Sequence, residues 1–517
     1  MYLTQGLHRS LSLFPDREAT TFLSRRQTYR QLADRVARCA GALRRLGVAE
    51  GDRVALLALN SDRYFEYYLA VFWAGAAVNP VNTRWTAAEI VYSLRDSETT
   101  VLIVDDHFAA MAADLRRDAK TLKHLLHLGE HESPAACLPL ELLIAEADPV
   151  EDAFRSGHEL AGVFYTGGTT GFPKGVKLHH DGITSAALCR LALGYVPGPA
   201  YLHAAPLFHL AGAIGLFTQL LNGGRHVITP AFEPRVVMQA IERERISDTL
   251  LVPTMIQMLL DHPERSNYDL SSLRFVVYGA APISETLLDR AFAALPDVSF
   301  MQGYGMTELS GPLIFLEPRY HTVEGRKLGK LKSAGRASLF AETRIADTDG
   351  RVVPRGTVGE ICVRAPSMML GYWNRPDETA AVLVDGWMHS GDGGYMDDEG
   401  FLYIVDRVKD MIVSGGENVY SAEVENAIAK HPAVAACAVI GIPDAHWGEA
   451  VHAVIVPRPG VAVTAEQIIG HCKQLIAGYK SPRSVEFREA LPLTGAGKVM
   501  KHQLREPFWQ GVARRVN

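Results

Sequence analysis

Along most of the chain, short continuous apolar runs alternate with longer stretches of helical periodicity. Residues 53–59, 100–104, 160–165, 201–205, 225–229, 249–252, 274–278 and 299–302 are runs of the first kind and predict buried strands. Between them, Leu32, Val36, Ala40, Leu43 and Leu46 recur on one helical face, and 62–75, 210–221, 234–245, 254–260 and 284–294 predict further helices. Repeated strand–helix units imply parallel sheet wound on both faces. Residues 14–19 read only as a short ordered lead-in, and 115–150 carry little periodic signal. From about residue 320 the texture becomes strict alternation, over 342–346 and 358–364 around an Asp349-Gly350 turn, which predicts antiparallel β structure. The charged stretch Asp406-Arg407-Val408-Lys409-Asp410 follows. Beyond it the chain restarts as a compact unit: a helix capped by Ser421 and ending at His431-Pro432, strands over 433–442 and 451–457, and the capping box Thr464…Gln467. The expected class is α/β: a large N-terminal domain, 1–405, of doubly wound sheets plus a small β-barrel-like subdomain at 320–405. A hinge at 406–410 and a smaller α+β C-terminal domain, 411–517, complete it.

Composition narrows the partners. A formal net charge of −6 argues against a nucleic-acid binder that relies on phosphate contacts. Six cysteines without a C-x-x-C pair fit reduced, buried thiols and offer no zinc site. The start, Met-Tyr-Leu-Thr-Gln-Gly-Leu-His-Arg, lacks a basic-then-apolar leader, and the most apolar stretch, 64–78, carries Glu66 and reads as a buried helix and not a membrane span. A cytoplasmic protein is expected. The basic tail, 501–515, reads as a solvated helix face.

In wound sheets ligands sit beyond the carboxyl ends of the strands. The post-strand loops are therefore where chemistry is expected. They are residues 165–176, then Pro206-Leu-Phe-His209, Gly279-Ala-Ala-Pro282 and Gly303-Tyr-Gly-Met-Thr-Glu308. The first, Tyr-Thr-Gly-Gly-Thr-Thr-Gly-Phe-Pro-Lys-Gly-Val, combines glycines that expose backbone N–H groups, threonine hydroxyls and the cationic Lys174, the parts of a polyphosphate clamp. It is not a Walker A loop, because Gly171 is followed by Phe-Pro and not by lysine. Taken alone it is equally an ordinary Gly-rich surface turn.

The remaining motifs appear in a fixed order: Tyr-Gly-Ala-Ala-Pro, Gln-Gly-Tyr-Gly-Met-Thr-Glu, Gly-Trp-Met-His-Ser-Gly-Asp, Asp-Arg-Val-Lys-Asp, Ser-Gly-Gly-Glu-Asn-Val-Tyr and Leu-Thr-Gly-Ala-Gly-Lys. With this series the chain resembles the AMP-forming acyl-CoA synthetases of the adenylate-forming superfamily, over essentially its whole length. The resemblance implies two half-reactions: ATP and a carboxylic acid give acyl-AMP and pyrophosphate, and coenzyme A then displaces AMP. It implies Mg²⁺, held by Thr170 and Glu308, and nucleotide contacts from Thr166, Gly167, Gly168, Thr169, Thr170, Gly171 and Lys174. Gly279, Ala280, Ala281, Gln302, Gly303, Tyr304, Gly305, Met306 and Thr307 would wall the adenine, with Tyr304 as a stacking ring, and Asp392 and Arg407 would hold the ribose and phosphate. Lys498, Glu308 and His209 carry the catalytic assignment. Lys498 would reach the α-phosphate on a mobile C-terminal domain that turns about Lys409, and Ser414, Gly415, Gly416 and Glu417 would line the coenzyme A channel afterwards. Gly167 stands where the family loop has serine, removing one hydroxyl donor. The expected substrate is an apolar acid, medium- or long-chain fatty first and aryl second. A carrier-protein phosphopantetheine as acceptor is an alternative, as is a nucleotide-binding regulator without turnover. A homodimer and peripheral membrane contact stay open.

Overall fold

The computed structural model describes residues 1–166, 173–281, 283–407, 410–415, 417–444, 446–494 and 498–510, with Arg407 and Asn418 described by backbone alone. Two large sheets organise the N-terminal part. One has eight strands in the order Gly371–Tyr372, Lys174–His179, Leu160–Thr166, Ala77–Pro80, Arg53–Leu57, Val101–Val104, His124–His127, Leu138–Pro139. It is parallel from Leu160–Thr166 onward and antiparallel at its first edge. The other has nine strands: Arg336–Ala337, Gly311–Leu316, Ser299–Met306, Phe275–Gly279, Asp248–Leu251, Ala200–His203, Arg225–Ile228, Glu18–Phe22, Arg25–Thr28. Its six central strands are parallel. Strands such as Val101–Val104, buried at every position, are what a sheet covered on both faces requires.

Helix Asp62–Trp73 shows why the two sheets share one core. Ser61 Oγ caps it by accepting the Tyr64 N–H at 3.2 Å. The side chains of Tyr64, Phe65, Tyr68 and Phe72 are fully buried, so the helix is apolar around most of its girth and must be enclosed. Tyr67 donates to Val54 O in one sheet (2.7 Å), while the Phe65 ring lies 4.4 Å from His226 in the other. Helix Tyr29–Arg45 carries the predicted apolar stripe and opens with a capping box, Thr28 with Gln31.

A third, antiparallel sheet joins Glu342–Ala346, Gly359–Arg364, Trp387–Met396, Leu383–Val384 and Leu402–Arg407. A fourth lies wholly after residue 411: Glu417–Val419, Ile412–Ser414, Gly448–Pro457 and Val434–Asp444, with Ser484–Phe487 alongside. Helices Ser421–Ala429 and Ala465–Leu475 cover it through Val424, Ile428, Ile468 and Cys472. The chain is thus α/β, with a large N-terminal sheet domain and a smaller C-terminal one. All six cysteines are unbridged. Among the described residues, no helix is long and apolar enough to cross a membrane.

The structure departs from the pattern-based reading in several places. The Gly-rich loop does not lead from a strand into a helix; it joins the antiparallel strands Leu160–Thr166 and Lys174–His179, with Thr166 opposite Lys174. Gly303–Met306 is not loop: its strand runs on from Ser299 to Met306, past the predicted end at 302, because Gly311–Leu316 returns beside it. The lead-in at 14–19 runs into strand Glu18–Phe22 of a strand pair, a helix, Gln5–Leu13, precedes it, and 115–150 contains helix Leu140–Glu146 and strand His124–His127. Ser421 is the first helical residue, not the cap. Lys501 and Arg505 of the basic tail pair with Glu425 and Asp410 and do not form a solvated face.

Candidate active site

Strand Ser299–Met306 is the spine of the site. It ends in the turn Thr307–Leu309, reversed by Ser310 at φ +60°. That turn carries Glu308 into the interior, where it is only 7% exposed. A buried carboxylate is costly without hydrogen-bond partners. Here Oε1 accepts the Tyr372 hydroxyl at 2.9 Å, and the Glu308 carbonyl accepts Met369 N–H at 2.8 Å. Tyr372 sits on the short strand Gly371–Tyr372 opposite Val176, so the strand leaving the Gly-rich loop pairs with the one carrying the tyrosine that orients Glu308. Lys174 lies 5.2 Å over the Tyr372 ring and pairs with Glu378. Loop residues Gly167, Gly168, Thr169, Thr170 and Gly171 fall outside the described residues; their flanks, Thr166 and Lys174, face each other.

Tyr304, on the same spine, donates its hydroxyl to Asp392 Oδ2 at 2.7 Å. Asp392 is 8% exposed. The turn that presents it is fixed from behind: Ser390 Oγ donates to Ile361 O (2.6 Å) and accepts Asp392 N–H (3.1 Å). Gly391, at φ +70°, donates its N–H to Glu360 Oε1 at 2.8 Å, and Glu360 Oε2 meets His389 Nδ1 at 2.8 Å. Cys362 completes a cluster of three potential ligand atoms within 4.8 Å. Burial raises its thiol to about 11, so it stays protonated, and these contacts serve to hold the turn.

The wall behind the spine is backbone against backbone. A Cβ on Gly279 would come 2.1 Å from Gly303 O, and one on Gly305 would come 2.0 Å from Gly311 O. Ala280 adopts φ +63°, a left-handed conformation costly for a residue with a Cβ. Ala281 continues that turn, and Gln302 accepts from Tyr278 Oη at 3.4 Å. Met306 packs against the core, and Thr307 opens the Glu308 turn.

His209 caps helix Leu210–Asn222, its Nδ1 accepting Ala211 N–H at 3.3 Å. It lies in a recess, flanked by protein yet partly reachable. Burial, and after it the Lys498 ammonium, presses its pKa down to about 4. The ring is therefore neutral near pH 7. With Nδ1 accepting, Nε2 carries the proton and is free to act as a donor. Lys498 belongs to the C-terminal unit, and its charge is felt at His209 of the N-terminal one. Its loop is closed by Thr494 N–H to Lys498 O (2.7 Å) and Lys498 N–H to Thr494 Oγ1 (3.1 Å). Arg84 reaches from the N-terminal side to Thr494 O at 3.1 Å.

Ser414 is buried, and Gly415, at φ +63°, donates its N–H to Trp447 O at 2.8 Å; a Cβ there would strike the Trp447 ring at 2.7 Å. Trp447 is 37% exposed, with Arg483 4.2 Å over its ring. Glu417 lies opposite Ser414. Gly416, Lys409 and the Arg407 side chain lie outside the described residues. Sequence reasoning missed Tyr372, Glu360 and Trp447. A tyrosine directly before Trp373 gave no local signal that it would meet a carboxylate from another sheet.

Among the described residues, the Glu308 carboxylate is hydrogen-bonded at Oε1 by the Tyr372 hydroxyl, and hard oxygen donors of this kind suit Mg²⁺. The AMP-binding enzyme family pattern matches residues 7–373, and that of the AMP-binding enzyme C-terminal domain matches 423–498. The chain is 42% identical over 488 residues to a feruloyl-CoA synthase of Amycolatopsis sp, covering 93% of this chain and 94% of that one. It is 38% identical over 523 residues to the fatty acid–[acyl-carrier-protein] ligase ScoC of Streptomyces coeruleorubidus, covering 99% and 98%. Its fold matches that of the anthranilate CoA ligase AuaEII in complex with anthranoyl-AMP, with a TM-score of 0.92, 28% identity and coverage of 99% and 98%. By motif order, fold and full-length similarity, the chain belongs to the AMP-forming acyl-CoA synthetases, the adenylate-forming acid–CoA ligases.

Proposed function

We propose that the chain activates an aryl or arylalkenyl carboxylic acid with ATP and transfers the acyl group to coenzyme A. The observation that carries the two-step reading is that Arg84 of the N-terminal unit holds Thr494 O, at the base of the Lys498 loop of the C-terminal unit, while the N-terminal unit presents the Glu308–Tyr372 and Asp392–Tyr304 pairs. In the first step a carboxylate oxygen bonds to the α-phosphorus as the α–β bridging bond breaks and pyrophosphate leaves. An anion thus attacks a polyanion, so positive charge and fixed donors govern the rate. Lys174, Thr169 and Thr170 hold the β and γ phosphates, and Asp392 takes the ribose hydroxyls. Tyr304 offers its ring to adenine. Lys498 neutralises charge between the α-phosphate and the acid, while the Nε2–H of neutral His209 donates to the carboxylate. Mg²⁺, held by Glu308 and Thr170, would supply further neutralisation of the phosphates.

In the second step the coenzyme A thiolate bonds to the acyl carbon as the bond to AMP breaks. Rotation about Lys409 then withdraws Lys498 and brings up the 414–417 turn. The exposed Trp447 under Arg483, beside Gly415, suits the nucleotide end of coenzyme A.

Similarity to the feruloyl-CoA synthase and to the anthranilate ligase favours a planar aryl acid. A fatty acid is the second reading, favoured by the similarity to ScoC, whose name also keeps a carrier protein as an acceptor. Pyrophosphate release and thioester formation, measured across hydroxycinnamates, benzoates and straight-chain acids with free coenzyme A, test the reading. The highest kcat/KM on an aryl acid supports it. Preference for a straight-chain acid, or product only with a carrier protein, overturns the substrate or the acceptor. No pyrophosphate release with any acid overturns the enzyme assignment.

A further inference from the structure

Helix Lys501–Trp509 starts just beyond Lys498, and its first face is clamped to the segment joining the two units. Lys501 Nζ lies 2.7 Å from Glu425 Oε1 and 2.5 Å from Ser421 Oγ. Arg505, one turn later on the same face, lies 2.5 Å from Asp410 Oδ1. Asp406 Oδ2 accepts the N–H of Ser421, the first residue of helix Ser421–Ala429, at 2.6 Å. The Lys501 ammonium reaches the same Ser421 through its Oγ, and its charge is felt at Asp406. Burial raises the pKa of both Asp406 and Glu425. Burial alone would lower Lys501, but Glu425 and Asp406 outweigh it and the amine lies above its ordinary value.

These contacts divide by what they span. Asp406 belongs to strand Leu402–Arg407, paired with Trp387–Met396 in the N-terminal unit. Ser421, Glu425, Lys501, Asp410 and Arg505 all follow residues 408–409. Turning the C-terminal unit about that point preserves Lys501–Glu425 and Arg505–Asp410, but it separates Asp406 from Ser421 and Lys501. Separation strips a buried carboxylate of its donor and its counter-ion, which is strongly unfavourable unless water or a new partner replaces them. The arrangement with these contacts formed is the one in which Arg84 of the N-terminal unit holds the Lys498 loop at Thr494 O.

We infer that Asp406 and Lys501 form a polar latch across the hinge, and that Lys501 is a positioning residue that holds Lys498 in place for acyl-adenylate formation, an inference that rests on the two-step reading above. The latch is made in the first half-reaction and broken for the second.

The test compares full-length wild type with Lys501→Met, Lys501→Arg and Asp406→Asn. Three readouts are taken: ATP–pyrophosphate exchange, conversion of synthetic acyl-AMP to thioester, and the rate of tryptic cleavage at Arg407 and Lys409. Loss of a charged hydrogen bond predicts that Lys501→Met and Asp406→Asn each slow exchange about tenfold. Thioester formation should stay within about twofold, because the latch is open in that step. Cleavage at the hinge accelerates in both variants, and Lys501→Arg restores exchange and protection. Equal loss in both half-reactions, or unchanged exchange with unchanged cleavage, overturns the latch. Should Lys501→Met fail to fold, Asp406→Asn, which keeps size and shape, carries the same comparison. If wild type forms no adenylate from any acid, the two-step reading fails, and unchanged cleavage in Asp406→Asn separately overturns the latch.

Discussion

The groups on the Ser299–Met306 spine and the lysine at 498 belong to different units and are held by different forces. The spine is an interior strand of a nine-stranded sheet, and at Gly305 a Cβ would come 2.0 Å from Gly311 O, so no side chain fits there. Its polar groups are cross-braced between sheets, Glu308 by Tyr372 and Asp392 by Tyr304. Lys498 belongs to a unit with its own apolar cores. Among the described residues, the apolar clusters lie either before residue 408 or after residue 411, with no cluster mixing the two. The contacts between the units are polar: Arg84 to Thr494 O (3.1 Å), Gln257 to Ala435 O (3.1 Å), Lys430 near Glu285 (3.9 Å) and the Asp406 contacts. Apolar interfaces are hard to open, whereas hydrogen bonds exchange readily with water. The first wall is built for precision and the second for movement.

Breaking the fixed wall should cost most. Glu308→Gln should lower pyrophosphate release by about 100-fold, because it removes the carboxylate charge aimed at the metal and phosphates. Its steady-state rate against Mg²⁺ concentration checks this. Tyr372→Phe takes one hydrogen bond from that carboxylate and should cost about tenfold in kcat/KM for ATP, with folding preserved.

Acid should affect the two units differently. His180, His209 and His321 are pushed down to about 4, and His226 to about 3, in each case chiefly by burial. All four precede the hinge. The unfolded chain titrates them near about 6.5, so their contribution to stability is full above that pH and is lost as pH falls toward 4. The N-terminal melting transition should drop by at least about 5 °C between pH 7 and pH 5. In the C-terminal unit the buried Glu425 is shifted upward, so its protonation as pH falls stabilises that unit, offsetting the loss from His452, which burial shifts down. Calorimetry over that range reads the difference. Smallest is Gln257→Ala, which removes one contact between the units. It should slow adenylation by only about two- to threefold in ATP–pyrophosphate exchange.

Much of the fold was legible because its signals are local. The stripe and capping box of Tyr29–Arg45 and the buried run Val101–Val104 carry their own period. The hairpin around the Gly-rich loop was not legible. Only the return of Lys174–His179 beside Leu160–Thr166 defines it, and the same residues read locally as the approach to a helix. The extension of the spine to Met306 likewise depends on a neighbouring strand. Within the site, motif order pointed to Glu308, Asp392, Tyr304 and Lys498; Tyr304 lies on the spine, Glu308 on the turn that ends it, and Asp392, on strand Trp387–Met396 of another sheet, meets Tyr304. Their braces were invisible: Tyr372 and Glu360 act through contacts made only on folding. Lys501 and Arg505 were misread for the same reason. Their anionic partners lie far upstream, so local sequence showed only a basic helix.

The most direct test of the contrast is Lys498→Ala carried through both half-reactions on one preparation. The account predicts that ATP–pyrophosphate exchange falls by about 100-fold or more while thioester formation from synthetic acyl-AMP stays within about twofold. Equal loss in the two steps would contradict it, because Lys498 would then belong to the fixed wall and not to the part that moves.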